Sequence, residues 1–295
     1  MKKLFCRLIA FAVLLSVASS AFAQIFYKVE GNGAKDASYI FGTHHLAPLS
    51  ILDNYPSLAA ACDSAEAVVG EIDMTQGELQ MMMAMQPYMT APADSTLFSL
   101  LSPEEFNDLN QKFLPYSPQP GVDLNVLGGM KPMVISSIVA MGEIAKDLPG
   151  FNPSEQLDKY FQTKFAAEGR EVVPLETPDM QASLLYGFFP IAKQLADLRE
   201  LLDNPSELAA NATRLNEAYL KGDLEAMQAL TEQEDSDPAF MNALSTIRNR
   251  DWLQKLPALI NSKHCMIVVG ALHLAGDDGI VEGLRRMGYT VTPIN

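Results

Sequence analysis

The same six-residue pattern closes two strand-like runs at opposite ends of this chain. Ser38-Tyr-Ile-Phe41 leads into Gly42-Thr-His-His-Leu-Ala47, and Cys265-Met-Ile-Val-Val269 leads into Gly270-Ala-Leu-His-Leu-Ala275. Each run has the length of one buried strand. With 18 glycines and 4 histidines in the chain, ordinary composition predicts about 0.24 Gly-x-x-His by chance. Two are present, and both continue Leu-Ala. Glycine frees the backbone as the chain leaves a sheet, so a histidine three residues on can face across the sheet edge. Two such loops on neighbouring strands bring two imidazoles together. In open α/β sheets, ligands bind in the loops leaving the carboxyl ends of strands. Histidine there is the commonest nitrogen ligand for transition metals and the general base that works near neutral pH.

Other strands follow the same logic. Residues 25–30 alternate apolar and polar before a Gly31-Asn-Gly33 turn, and 65–72 form a further strand, with Glu71 and Asp73 on the pleat opposite Val68, Gly70 and Ile72. Glu171-Val-Val-Pro-Leu175 is a brief strand, and Tyr289-Thr-Val-Thr292 closes the chain. Between the ends the sequence turns helical. Ser102-Pro-Glu-Glu105 is a capping box with proline in the first turn. Ser154 starts a helix with Leu157, Phe161 and Phe165 at four-residue spacing, and Thr177 caps another at Pro178. The fold class is therefore α/β: a central mixed sheet built from strands near both termini, flanked by helices, within one domain at 24–295 that carries a helical insert at about 75–262. Met81, Met82, Met83, Met85 and Met89 read as adaptable core or groove fillers more readily than as soft-metal ligands.

Residues 1–23 read as a secretory signal peptide. Lys2, Lys3 and Arg7 precede a short apolar core, and Ala21-Phe-Ala23 is a cleavage box. The mature chain is then exported, most simply to a periplasm, with no stable membrane insertion. Loss of Lys2, Lys3 and Arg7 takes the formal charge from −15 to −18. Such a surface argues against nucleic acid and anionic membrane as partners. Cys62 and Cys265 remain, either paired or buried as thiols.

Taken in order, these residues resemble the TraB/GumN family, related to the Tiki metalloproteases and more distantly to the erythromycin-esterase and ChaN-like proteins. The resemblance rests on Gly42-Thr-His-His45, Glu71 in Val-Val-Gly-Glu-Ile-Asp73, Leu175-Glu-Thr177, Arg248-Asn249 and Gly270-Ala-Leu-His273. It implies that His45, Glu71 and His273 line one pocket. In a Tiki-like reading they ligate a divalent metal (Mn²⁺, Co²⁺ or Zn²⁺), with Glu71 as ligand or as general base toward bound water, and a peptide or small acyl compound is hydrolysed. Glu176 orients a histidine or satisfies the backbone opening the following helix. Arg248, beside Asn249, clamps a substrate carboxylate or pairs within the protein. His44 is expected to face the second layer or solvent, and His264 to face solvent at the far end of its strand. Two other readings stand beside this one: a binding protein that sequesters a peptide, haem or metal ion, and a metal-free hydrolase in which a histidine with a carboxylate neighbour activates water.

Overall fold

The apolar runs assemble into one six-stranded sheet in the computed structural model, which describes residues 25–148, 151–233 and 237–295. Residues 1–23, read above as a signal peptide, lie outside the described residues. The strands are β1 (Phe26–Glu30), β2 (Ser38–Thr43), β3 (Ala67–Gly70), β4 (Glu171–Pro174), β5 (Cys265–Gly270) and β6 (Thr290–Pro293). Their order is β4-β3-β5-β2-β1-β6. The first four of that order run parallel, while β1 pairs antiparallel with both β2 and β6. The mixed sheet expected from the sequence is therefore present.

β5 comes from the end of the chain and lies between β2 and β3 from its beginning. A central parallel strand is covered on both faces and has to be apolar throughout. Cys265 to Val269 are accordingly all fully buried. The register then defines one edge. Thr43 lies opposite Gly270, Gly70 opposite Val268, and Pro174 opposite Gly70. Four parallel strands thus finish together, and the loops bearing His45, Glu71, Glu176 and His273 all leave from that edge. β3 is shorter than its apolar run implied. It stops at Gly70, so Glu71 belongs to the loop and not to the strand's pleat.

The helix Leu157–Ala167 shows how the flanking layer serves this edge. It starts at Leu157, behind an extended Gln156, and not at Ser154. Leu157, Phe161 and Phe165 are fully buried, and the Phe161 ring meets Phe41 of β2 at 5.4 Å. Beside this stripe runs a second one, Asp158 and Gln162, also buried. Gln162 Oε1 accepts from Met74 N–H at 2.7 Å and its Nε2 donates to Ile72 O at 3.0 Å. The helix therefore grips the loop after β3. A Cβ at Gly70 would lie 2.3 Å from Gln162 Nε2, so a side chain there would displace this grip.

The middle of the chain is helical as expected, and the capping box at Ser102 forms in both directions. Leu97, Leu109, Phe113, Ile135, Val139 and Leu198 build a second apolar cluster apart from the one around the sheet. The methionine helix, Glu78–Met89, corrects the expectation of core or groove filling: it buries none of its residues, and Met82 and Met83 stand exposed.

Phe161→Ala removes a fully buried ring at the junction of helix and sheet. It is expected to cost about 3–5 kcal/mol, whereas Met83→Ala on the exposed helix should stay within about 0.5 kcal/mol. Urea unfolding of the two variants at an unchanged m-value checks this.

Candidate functional site

Pairing between β3 and β4 continues past both strands. Leu175 N–H donates to Gly70 O and Glu176 N–H to Glu71 O, both at 2.8 Å. This sets the Glu71 and Glu176 side chains next to each other at the sheet edge, where two carboxylates need a cation. Arg248 supplies it, from the start of the helix Arg248–Ser262, directly after a π-helical turn at Asn242–Ile247. Its Nη2 donates to Glu71 Oε2 at 2.6 Å and to Glu176 Oε1, and its Nε to Glu176 Oε2 at 3.1 Å. Its Nη1 donates to Leu244 O and to His273 Nε2, each at 3.0 Å. A guanidinium has five N–H donors, and all five are used. Gln181, on the helix Pro178–Gly187, adds its Nε2 to Glu71 Oε2 at 3.0 Å and to Glu176 Oε1 at 2.8 Å.

The same network fixes the tautomer of His273. Because Nε2 accepts from Arg248, the ring hydrogen sits on Nδ1, which donates to Asn249 Oδ1 at 2.7 Å. Asn249 Nδ2 in turn donates to His273 O at 3.2 Å and Asp278 O at 2.9 Å. The Trp252 ring lies 4.4 Å from the imidazole. Burial pushes the His273 pKa down to about 4; the nearby Glu71 opposes this and Arg248 reinforces it. Burial pushes Glu71 the other way, but His273, Arg248 and the Gly270 amide, which donates to Oε1 at 2.8 Å, outweigh it and hold its carboxyl below the usual range.

His45 is placed differently. Its side chain is 68% exposed and its Nδ1 lies 3.7 Å from Asp158 Oδ2. Asp158 is buried, takes a 2.8 Å hydrogen bond from Thr43 Oγ1 on its Oδ1, and leaves Oδ2 without a hydrogen-bond partner. Burial raises the Asp158 carboxyl; His45 opposes, Glu71 adds to the rise, and Thr43 opposes. The tandem histidines thus divide opposite to expectation. His44 turns inward beside Tyr219, its Nε2 buried and unpartnered and its pKa pushed down to about 4 by burial and then by His45. His45 faces out.

The two glycine motifs do meet, although not by the conformational freedom expected of them. Neither Gly42 nor Gly270 has a positive φ. A Cβ on Gly42 would stand 2.8 Å from Leu274 Cδ1 and 3.0 Å from Ala271 Cα, and one on Gly270 would stand 3.3 Å from Glu71 Oε1. The glycines permit close approach of the loops.

Glu71, Glu176, Arg248, Asn249 and His273 are thus brought into one network, with Glu71 Oε1 3.9 Å from His273 Nε2. His45 shares their sheet edge but touches Asp158 instead. A divalent ion held by His45, Glu71 and His273 does not fit this donor set. His273 Nε2 faces a guanidinium, the Glu71 oxygens face Gly270, Gln181 and Arg248, and His45 is turned to solvent. Among the described residues no group of three or more His, Cys, Asp or Glu side chains is arranged to hold a metal. Of the two roles open to Arg248, the structure shows pairing within the protein, since every donor is used there. Cys62 and Cys265 are separate buried thiols. His264 is half-buried, bonded to Ser64 O at 3.1 Å and 3.1 Å from Asp36, and not turned to solvent. Gln181 and Asp158 escaped the sequence reading. Asp158 left a faint signal, a polar pair with Gln162 beside an apolar stripe, and Gln181 left none.

Unfolded, an imidazole titrates near pH 6.5; folded, His273 and His44 do so at about 4. Between those values the unfolded chain binds protons that the folded one refuses, so acid lowers stability. The loss approaches about 3 kcal/mol for His273 and less for the more open His44. Glu71, with its folded pKa lowered, loses its contribution as pH falls through that folded value, which acts in the same direction. Urea unfolding from pH 7 to 4 is expected to show this decline, and His273→Gln to remove its share of the slope above pH 4.

No curated protein and no solved structure matches the chain. One family model matches, over residues 25–293, and it spans every strand and every residue of the network described above. The chain belongs to the TraB/PrgY/gumN family.

Proposed function

We propose that this chain is an exported hydrolase of peptide or acyl bonds, with its site at the carboxyl edge of the parallel sheet. The observation that carries the reading is the pairing of one open imidazole, His45, with a sealed and fully hydrogen-bonded ionic floor made by Glu71, Glu176, Arg248 and His273. His45 is the group that water and substrate can reach. Its free nitrogen takes a proton from water as the oxygen attacks the carbonyl carbon. The proton then passes to the leaving nitrogen or oxygen, so that a C–O bond forms as the scissile bond breaks. Acid and amine, or acid and alcohol, are released.

The floor acts through charge. With His273 neutral, two carboxylates against one guanidinium leave a net −1 beside the cleft. This favours a developing ammonium on the leaving side and disfavours an anionic substrate. The chain's acidic balance works in the same direction. None of these steps is routed through a metal, because the donor set does not fit one.

A second reading has an observation of its own. The helix Glu78–Met89 presents Leu79, Met82 and Met83 to solvent and packs on the helix that carries Gln181. Methionine-rich surfaces adapt to apolar peptides, which supports sequestration of a peptide without cleavage.

A peptide and ester library incubated with the full mature chain separates the two readings. The first expects cleaved products, a loss of about 10²–10⁴-fold in kcat/KM for His45→Ala, and rates that survive chelator. Saturable binding with intact ligand would replace the first reading by the second. Stoichiometric Mn, Co or Zn in protein purified without chelator, with chelator-sensitive turnover, would overturn the metal-free chemistry.

A further inference from the structure

His273 and His45 stand on equivalent motifs, and the comparison between them assigns a role to a residue outside both. His273 is held through Nδ1–H by the side-chain oxygen of Asn249. His45 has one side-chain oxygen near its Nδ1, Oδ2 of Asp158 at 3.7 Å. We infer that Asp158 is the positioning residue of His45, its Oδ2 accepting the imidazole Nδ1–H so that Nε2 is the nitrogen offered to the cleft. The inference rests on the hydrolase reading only for its kinetic consequence.

Three features carry it. Asp158 is buried, and its Oδ2 is a buried acceptor with no hydrogen-bond partner in the fold. A buried acceptor left unpaired is costly to the fold unless something fills it, and the nearby donor is the imidazole. Thr43 Oγ1 donates to Oδ1 at 2.8 Å, which fixes the carboxyl plane and leaves Oδ2 turned to the loop that carries His45. Finally, the carboxyl rides on a rigid support. Asp158 is in the first turn of Leu157–Ala167, whose Leu157, Phe161 and Phe165 are fully buried and whose Gln162 grips the loop after β3. The open side chain is His45, so the gap closes by rotation of the ring. Hydrogen bonds of this kind are often long before substrate arrives. At 3.7 Å the contact needs to shorten by less than an ångström to reach hydrogen-bond range.

Asp158 does not touch substrate in this arrangement. It selects the tautomer and the orientation, while Nε2 of His45 takes the proton from water and later gives it to the leaving group. Thr43 ends β2, His45 lies in the loop after it, and Asp158 sits on a helix more than a hundred residues later, so no local motif announces the set.

The imidazole ¹⁵N–¹H correlation spectrum of the full mature chain at pH 7.5 reads the tautomer directly, with His273 as an internal standard fixed as Nδ1–H by Asn249. Wild type is expected to show His45 as Nδ1–H. Asp158→Ala should shift it mainly to Nε2–H and leave His273 unchanged. Asp158→Asn should keep Nδ1–H, because an amide oxygen accepts as well as Asn249 does. If Asp158→Ala fails to fold, Thr43→Val, which frees the carboxyl to turn, is expected to raise the Nε2–H share of His45 instead. A wild-type His45 that is mainly Nε2–H, or one that ignores Asp158→Ala in a folded protein, overturns the inference. On any ester or peptide that the wild type cleaves, Asp158→Ala should lower kcat by ~10²-fold at little change in KM, with part of the rate returned in Asp158→Asn. A confirmed tautomer shift without hydrolysis of any library member would sink the hydrolase reading and leave the Asp158–His45 pair established.

Discussion

The ionic floor at the sheet edge hangs on one guanidinium between two carboxylates. Burying Glu71 and Glu176 side by side is untenable without a cation, and burying a cation is untenable unless its donors are satisfied. Arg248 meets both conditions, with each of its N–H groups bonded. A buried ionic cluster of this kind is weak evidence for added stability, since apolar residues of similar volume often do as well. Its value here is registration. The carboxylates come from the loops after β3 and β4, and the guanidinium from a helix that leads into β5. The neighbours Asn249 and Trp252 then hold His273 on the loop after β5. One ionic contact thereby ties three separate strand ends and orients a fourth group.

That arrangement leaves the two histidines with unlike chemistry despite their matching motifs. His273 is sealed, neutral and held by an amide, with its second nitrogen facing a positive charge. His45 is open to water, and the group behind it is an acid. His45 is thus the imidazole that solvent reaches, and His273 is a fixed dipole in the floor.

How much of this the sequence disclosed follows from how local each cause is. The strands were legible because a strand buried on both faces must be continuously apolar, as Cys265 to Val269 is. The meeting of the motifs was legible because Gly-x-x-His-Leu-Ala twice over defeats chance. Glu71 and Glu176 were legible as acids directly behind apolar runs. The partition of His44 and His45 was not, because it depends on β2 running two residues past its apolar stretch, with Thr43 drawn inward by Asp158. Gln181 and Asp158 were barely legible for a related reason: each reaches a partner more than a hundred positions away, Glu71 for Gln181 and Thr43 for Asp158, through helices whose placement no short window encodes. Met82 and Met83 stand exposed because the helix that carries them meets a neighbour on one face only, which composition does not record.

The glycines make the same point in the opposite direction. They were expected for torsional freedom and instead serve proximity: Gly42 of the first motif abuts Ala271 and Leu274 of the second, and Gly270 abuts Glu71. The repeat at the two ends of the chain is thus the imprint of adjacency between β2 and β5. The first motif has given up a side chain where the second passes, and the second has given one up where Glu71 reaches its backbone. A methyl group at position 42 would have to push against backbone at Ala271, and with it against the short turn that sets His273 over Arg248. The spacing between the open histidine and the ionic floor is therefore written into two residues with no side chains, one against the second motif's backbone and one against the Glu71 carboxylate.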